Sequence, residues 1–166
     1  MRHKGNVLLS FLIVSAFIII VSGTDVAVPS GWKPEDLEQE VYRLVNQHRS
    51  KERFSELRWS EEIAKECRIH SRNMASAKIK LSHEGFNARM MRIKKKIDFL
   101  RGAENVAFNE RVKDPAREAV ETWLKSSGHR ANIEGGYDLT GVGVAKNKEG
   151  RYYFTQIFIK KRAKDH

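Results

Sequence analysis

The last quarter of the chain carries the feature that most restricts its fold. Residues 139–145 (LTGVGVA) and 151–159 (RYYFTQIFI) are two β-rich runs separated by Asn147-Lys148-Glu149-Gly150, a turn composition. Two such runs around a turn read as an antiparallel hairpin. Side chains alternate across a strand, so Val142 and Val144 share one face while Gly141 and Gly143 share the other. Glycines lined up on a strand face leave room for another element to approach the backbone closely.

What precedes the hairpin has helical spacing. Pro34 opens the first helix, with Glu35 and Asp36 beside its positive end. Leu37, Val41, Leu44, Val45 and His48 then recur on one stripe. Ser60 is placed to cap a second helix, whose inner face carries Ile63, Cys67, His70 and Met74. Residues 79–87 (IKLSHEGFN) read as a loop holding His83. Met90, Ile93, Ile97 and Leu100 continue at helical spacing, with Gly102 as the stop. Residues 103–107 (AENVA) are too short to classify by pattern. Asp114-Pro115 is a cap and first-position pair for a further helix along Ala116, Ala119, Val120 and Trp123, with Gly128 closing it or beginning the turn after it. Helices first and paired strands last is an α+β order.

One cysteine in 166 residues excludes an internal disulfide and any cysteine-based metal cluster. Cys67, on an inner helix face, is expected to be a buried small hydrophobe. The N-terminus sets the compartment. Arg2, His3 and Lys4 precede an apolar run over residues 7–21, followed by Ser22 and Gly23. That is the pattern of an export signal over residues 1–23, the alternative being an uncleaved N-terminal anchor. Residues 24–33 are expected to be a linker, 34–160 the folded domain and 161–166 a basic tail. The remainder of the chain is expected outside the cell, secreted or held at the envelope.

The chain holds 31 Lys and Arg against 21 Asp and Glu, a formal charge of +10, which becomes +8 without Arg2 and Lys4. The basic residues are scattered, with local runs at Arg92–Lys96 and Lys160–Lys164, and no basic stripe alternates with aromatics. Nucleic acid is therefore not an expected partner. Outside the cell this charge suits anionic envelope polymers or lipid head groups. The sequence lacks a GxSxG elbow, a P-loop and a dinucleotide fingerprint. Polar residues next to tight local structure are His83 in SHEGF, Glu104 in AEN and His129 in SSGHRAN. Two imidazoles and a carboxylate suit general acid–base work or a divalent metal with an open position. Their separations match no compact metal motif, so spacing alone also leaves them as ordinary surface residues. His70 reads as a core histidine, and His48 as a complement to its helix dipole.

Six segments in order carry a family resemblance: LVNQHR (44–49), LRWSEEIAKECRIHSRNMAS (57–76), LSHEGF (81–86), AENVA (103–107), AVETWLKSSGHRANI (119–133) and TGVGVA with YYFTQIF (140–145 and 152–158). The chain resembles the CAP superfamily of cysteine-rich secretory, antigen five and pathogenesis-related proteins, and more closely its prokaryotic SCP-like extracellular branch. The resemblance implies an α-β-α sandwich, a small and mainly antiparallel sheet between helical layers. It also implies a surface cleft with two histidines and two acids, which in several animal members can take zinc. His83 and Glu104 match the first histidine and the glutamate of the GEN-type segment, where Ala103 replaces a common glycine. Tyr153 stands where the strand histidine of animal members would be, and Ser126 where their second acid would be. His129 matches the GHR segment of the prokaryotic branch. His83, Glu104 and His129 are thus expected to converge, with His70, Tyr153 and Ser126 as neighbours and zinc or another divalent metal as the conceivable cofactor. A binding domain for a lipid-like or anionic envelope component is the expected function. A peptidase- or esterase-like hydrolase and a structural envelope protein with a vestigial cleft are the alternatives.

Overall fold

The computed structural model describes residues 31–163. The proposed export signal or anchor, most of the linker and the end of the tail lie outside the described residues. The elements run α1 (Pro34–Lys51), β1 (Arg58–Trp59), α2 (Glu61–Ala75), α3 (Phe86–Lys94), β2 (Phe99–Asn109), α4 (Pro115–Lys125), α5 (Ser127–Glu134), β3 (Leu139–Lys146) and β4 (Tyr152–Lys161). The sheet order is β1-β3-β4-β2. β3 pairs antiparallel with β4, and β4 with β2, while the short β1 runs parallel to β3. Among the described residues no helix is long and apolar enough to cross a membrane.

The alternation of β4 explains why both faces are covered. Phe154 and Phe158 point to one side and join Leu37, Val41, Val45, Ala116, Val120, Trp123 and Ile133 from α1, α4 and α5. Ile157 and Ile159 point to the other side and meet Ile63 and Cys67 of α2 and Ile93 of α3. Burial of these side chains is the main stabilising term. The expected α-β-α sandwich is therefore the fold.

Gly141 and Gly143 do what their placement suggests. A Cβ on Gly141 would lie 2.3 Å from the Ala64 nitrogen, and one on Gly143 would lie 2.1 Å from the Arg68 nitrogen. The α2 backbone rests directly on β3. Contacts at this range also let Cys67 Sγ reach the Gly141 carbonyl at 3.3 Å and Ser71 Oγ donate to the Gly143 carbonyl at 2.8 Å. Burial pushes the Cys67 thiol well above its ordinary pKa, so it is not a ready nucleophile.

Beyond β1, the outer edge of β3 is closed by charge. Glu38 of α1, 2% exposed, accepts the Val144 amide at 3.1 Å and pairs with Arg68 of α2 at 2.7 Å. An otherwise free ladder amide is thereby satisfied. Desolvation raises the Glu38 pKa against the pull of the Arg68 bonds.

Three sequence expectations fail here. The helical run from Met90 does not reach Leu100, because α3 stops at Lys94 and residues 99–109 form β2. Pairing with β4 along the whole length of β2 outweighs the local spacing. Gly102 is no helix stop. It sits under Met90 and the Phe158 carbonyl, where a Cβ would lie 2.3 Å and 3.0 Å from their atoms. Gly128 neither closes α4, which ends at Lys125, nor begins a turn after it; it lies inside α5.

Candidate functional site

β2 brings Glu104 to the face under α2 and α3, because Glu104 is paired with the inward Ile157 of β4. A carboxylate there must have a partner. α3 provides it: Arg89 Nε donates to Glu104 Oε2 at 2.9 Å and Arg89 Nη2 donates to Oε1 at 2.8 Å. The side chains are 5% and 1% exposed, so this is a buried, two-point ion pair. Arg89 also donates to the Glu84 carbonyl at 2.7 Å, which ties the site loop to α3.

His70 of α2 completes the inner end. Its Nε2 lies 2.9 Å from the Ser82 carbonyl and its Nδ1 lies 3.0 Å from Arg89 Nη1. A carbonyl only accepts and a guanidinium only donates, so the network assigns the proton to Nε2 and the lone pair to Nδ1. His70 is neutral in this arrangement. Burial lowers its pKa and the Arg89 charge adds to that, against the Ser82 bond.

His83 completes the outer end. Its Nδ1 lies 3.0 Å from Glu104 Oε1, and its side chain is 53% exposed. Paired with a guanidinium, the carboxylate is an acceptor, so Nδ1 carries the proton. Nε2 then presents its lone pair outward. A carboxylate that fixes the tautomer and aim of an imidazole is the arrangement that prepares a base or a ligand-gripping group.

His129 approaches from the far side of β2. It lies in α5 rather than in a turn after a helix. Three side chains moor this region to the outer edge of β2. Asn105 Nδ2 donates to the His129 carbonyl at 3.1 Å, Asn132 Nδ2 to the Glu104 carbonyl at 3.3 Å, and Trp123 Nε1 to the Val106 carbonyl at 3.0 Å. Asn132 also bonds Asn105 Oδ1 at 2.9 Å. His129 Nδ1 is buried and has no hydrogen-bond partner among the described residues. Burial lowers the His129 pKa, and the His83 charge lowers it further. His129 is thus a neighbour of His83 but is not bonded to the Glu104 carboxylate.

Tyr153 stands apart from Glu104. Tyr153 pairs in register with Phe108, whereas Glu104 pairs with Ile157. Four residues along a strand is about 13 Å. Its ring packs on Phe108, with centroids 6.2 Å apart. Ser126 is the junction residue that ends α4 and precedes α5. His48 bonds Glu134 at 3.0 Å, joining α1 to α5, in addition to lying near its own helix end.

Zinc fits this donor set poorly. Among the described residues no group of three or more His, Cys, Asp or Glu side chains is placed to hold a metal ion. Both Glu104 oxygens are occupied by Arg89, so a divalent cation on that carboxylate would sit against a guanidinium. Arg89 is the site residue that sequence reasoning missed. The signal was available in principle: an acid in an inward strand position demands a buried cation, and Arg89 is the basic residue just before the apolar face of Met90 and Ile93.

Known proteins share this architecture. The family model described as "Cysteine-rich secretory protein family", CAP, matches residues 42–158. The "Uncharacterized membrane protein YlbC" of Bacillus subtilis (strain 168) is 35% identical over 128 residues, covering 75% of this chain and 34% of that protein. An extracellular protein containing an SCP domain from Bacillus anthracis str. Ames superposes with a TM-score of 0.64 at 27% identity, covering 79% of this chain and 45% of that one. An outer surface protein from Borrelia burgdorferi superposes with a TM-score of 0.67 at 19% identity, covering 79% and 97%, a likeness of fold alone. The chain spans about a third of YlbC and under half of the Bacillus anthracis protein. These relatives are membrane, extracellular and outer-surface proteins, and the secreted or envelope location expected from the N-terminal residues agrees with them. With the sandwich, the ordered segments and the family match in register, the chain belongs to the CAP family of cysteine-rich secretory protein domains.

Proposed function

We propose that this CAP domain is a binding module of the cell envelope that receives an anionic or lipid-like component at the exposed Nε2 of His83. The single observation that carries the reading is the His83–Glu104–Arg89 chain, in which a buried ion pair aims a half-exposed imidazole at solvent. An anion is held at Nε2 when that nitrogen carries a proton to donate, with Nδ1 still donating to Glu104. Net positive charge draws such a partner in from a distance. Groups suited to attack are committed elsewhere: Cys67 is buried, and Ser71 Oγ bonds the Gly143 carbonyl and lies 2.8 Å from Thr155 Oγ1.

Isothermal titration of the purified protein with phosphatidylglycerol and phosphatidylcholine vesicles, at low and high salt, tests the reading. Binding to the anionic vesicles that weakens with salt and falls at least tenfold in His83→Ala supports it. Binding that His83→Ala leaves unchanged overturns it. The oriented imidazole also favours a second reading, a metal-independent hydrolase in which His83 activates water. Turnover in a peptide and ester panel, lost in both His83→Ala and Glu104→Gln, would establish that activity instead.

A further inference from the structure

The loop that carries His83 is held at three consecutive residues, each by a different member of the buried network. The Ser82 carbonyl lies 2.9 Å from His70 Nε2 of α2, His83 Nδ1 lies 3.0 Å from Glu104 Oε1 of β2, and the Glu84 carbonyl accepts Arg89 Nη1 of α3 at 2.7 Å. Among the described residues the other hydrogen bonds of residues 82–84 are local. The Glu84 amide donates to Ser82 Oγ at 3.2 Å, Ser82 Oγ to the Lys80 carbonyl at 3.2 Å, and the Phe86 amide to the His83 carbonyl at 3.0 Å. Leu81, His83, Glu84 and Gly85 are exposed, so little apolar burial backs these ties.

His70 is the member of this clasp that changes charge most readily, and it is 2% exposed. The charged and titratable groups facing it are Arg89 from α3, Glu104 from β2 and His83 from the loop. Cys67 precedes it on the inner face of α2, with its thiol held neutral by burial. Neutral His70 suits both of its neighbours, donating from Nε2 and accepting at Nδ1 from Arg89 Nη1 at 3.0 Å. A further proton on Nδ1 sets a donor and a positive charge against a guanidinium. Arg89 is not free to turn away, because Glu104 holds its Nε and Nη2. The imidazolium must leave its place instead, and Nε2 leaves the Ser82 carbonyl with it.

We infer that residues 82–85 are an acid-released clasp: a proton on His70 frees this loop from α2 and α3 while the sandwich stays folded. Burial holds the His70 pKa below its ordinary 6.5, with the Arg89 and His83 charges adding to it and the Ser82 bond and Glu104 opposing. The clasped state therefore binds the proton less well than the open state. The clasp is closed above pH 6.5 and opens as the pH falls toward the clasped value. With one proton involved, the closed-to-open ratio falls by up to about tenfold per pH unit. Opening takes His83 off Glu104 and removes the aim of its ring. Release of a ligand by acid rests on the binding proposed above; the opening of the loop does not.

The test uses the whole chain without ligand, followed by NMR from pH 7.5 to 5. It reads the His70 imidazole together with amide exchange at Glu84 and Phe86, corrected for the intrinsic pH dependence of exchange. Protection at both amides is expected to fall by up to about tenfold per pH unit with the midpoint of His70, while Ile157 and Phe158 in the sheet stay protected. His70→Gln keeps an N–H and a carbonyl at this position without a titrating group, and is expected to keep the loop protected throughout. Where the glutamine fails to hold the loop, the wild-type coupling of ring and amides decides. His70→Ala is expected to lower loop protection at least tenfold already at pH 7.5. His83→Gln removes the other imidazole and is expected to leave the transition in place. Loop protection that stays constant while His70 titrates overturns the proposal. So does a transition that persists in His70→Gln, one that vanishes in His83→Gln, or a His70 that takes its proton only as the sheet unfolds. No ligand is present, so failure here leaves the vesicle result for His83→Ala standing, and failure there leaves the clasp standing.

Discussion

Replacing Arg89 with methionine removes both guanidinium bonds from the Glu104 carboxylate, which is 1% exposed, while keeping most of the side-chain volume. Breaking a buried ion pair by deleting one partner costs about 3–5 kcal/mol, because the remaining charge has neither water nor counter-charge. Domains of this size have about 5–15 kcal/mol in total. Each kcal/mol is worth roughly 2–4 °C at this length, so the melting temperature is expected to fall by roughly 6–20 °C. The stranded carboxyl relieves the penalty by binding a proton. The native state of the variant then holds more protons than its unfolded state, and its stability falls as pH rises. Urea denaturation at pH 5 and pH 8 reads both effects. A double replacement, Arg89→Met with Glu104→Met, removes the charge along with its partner and is expected to recover most of the loss. A single-variant cost below about 1 kcal/mol, or a double variant no more stable than the single, would refute the view that this pair is the buried keystone of the site.

Gly143→Ala places a methyl 2.1 Å from the α2 backbone at Arg68, so the helix must lift from the sheet; a loss of at least about 3 kcal/mol in urea unfolding is expected. Ala77→Gly relieves a left-handed alanine at the end of α2, and calorimetry is expected to show a gain of about 1 kcal/mol or slightly less. Burial holds the His70 and His129 pKa values below 6.5 in the folded protein. Below pH 6.5 the unfolded chain therefore binds more protons, and these groups' contribution is full above that pH and declines as the pH falls toward the folded values. Unfolding measured from pH 7.5 to 5 is expected to show that decline, and His129→Gln to flatten it.

How much of this could be read from residues alone differs by element. The hairpin and the paired glycines were legible because strand alternation is a short-range pattern, and Gly141 and Gly143 have no side chain to bury unless something lies against them. α1, α2 and α4 were legible from their apolar stripes, and Asp114 does cap α4 by accepting the Arg117 amide at 3.0 Å. β2 was not. Its stability comes from pairing with β4, some fifty residues away in the chain, and its exposed Leu100 and Arg101 and small Ala103 hide the alternation. In the site, His83 and Glu104 were picked out and do touch. Arg89 was hidden because its role depends on the distance between α3 and β2, which no local spacing encodes. Tyr153 was placed beside the site by the segment match, and the strand register moves it four residues along. Glu38 was equally invisible: an acid in the middle of an apolar helix face is explained only by the open edge of β3 at Val144.

The aim of His83 is the claim on which the cleft stands, and its ring nitrogens report it directly. Long-range proton–nitrogen correlation spectra of the imidazole, recorded at a pH where it is neutral, distinguish the two tautomers. The Glu104 bond predicts a protonated Nδ1 and a bare Nε2, with the preference lost in Glu104→Ala. A neutral His83 carrying its proton on Nε2 in the native protein would contradict the account.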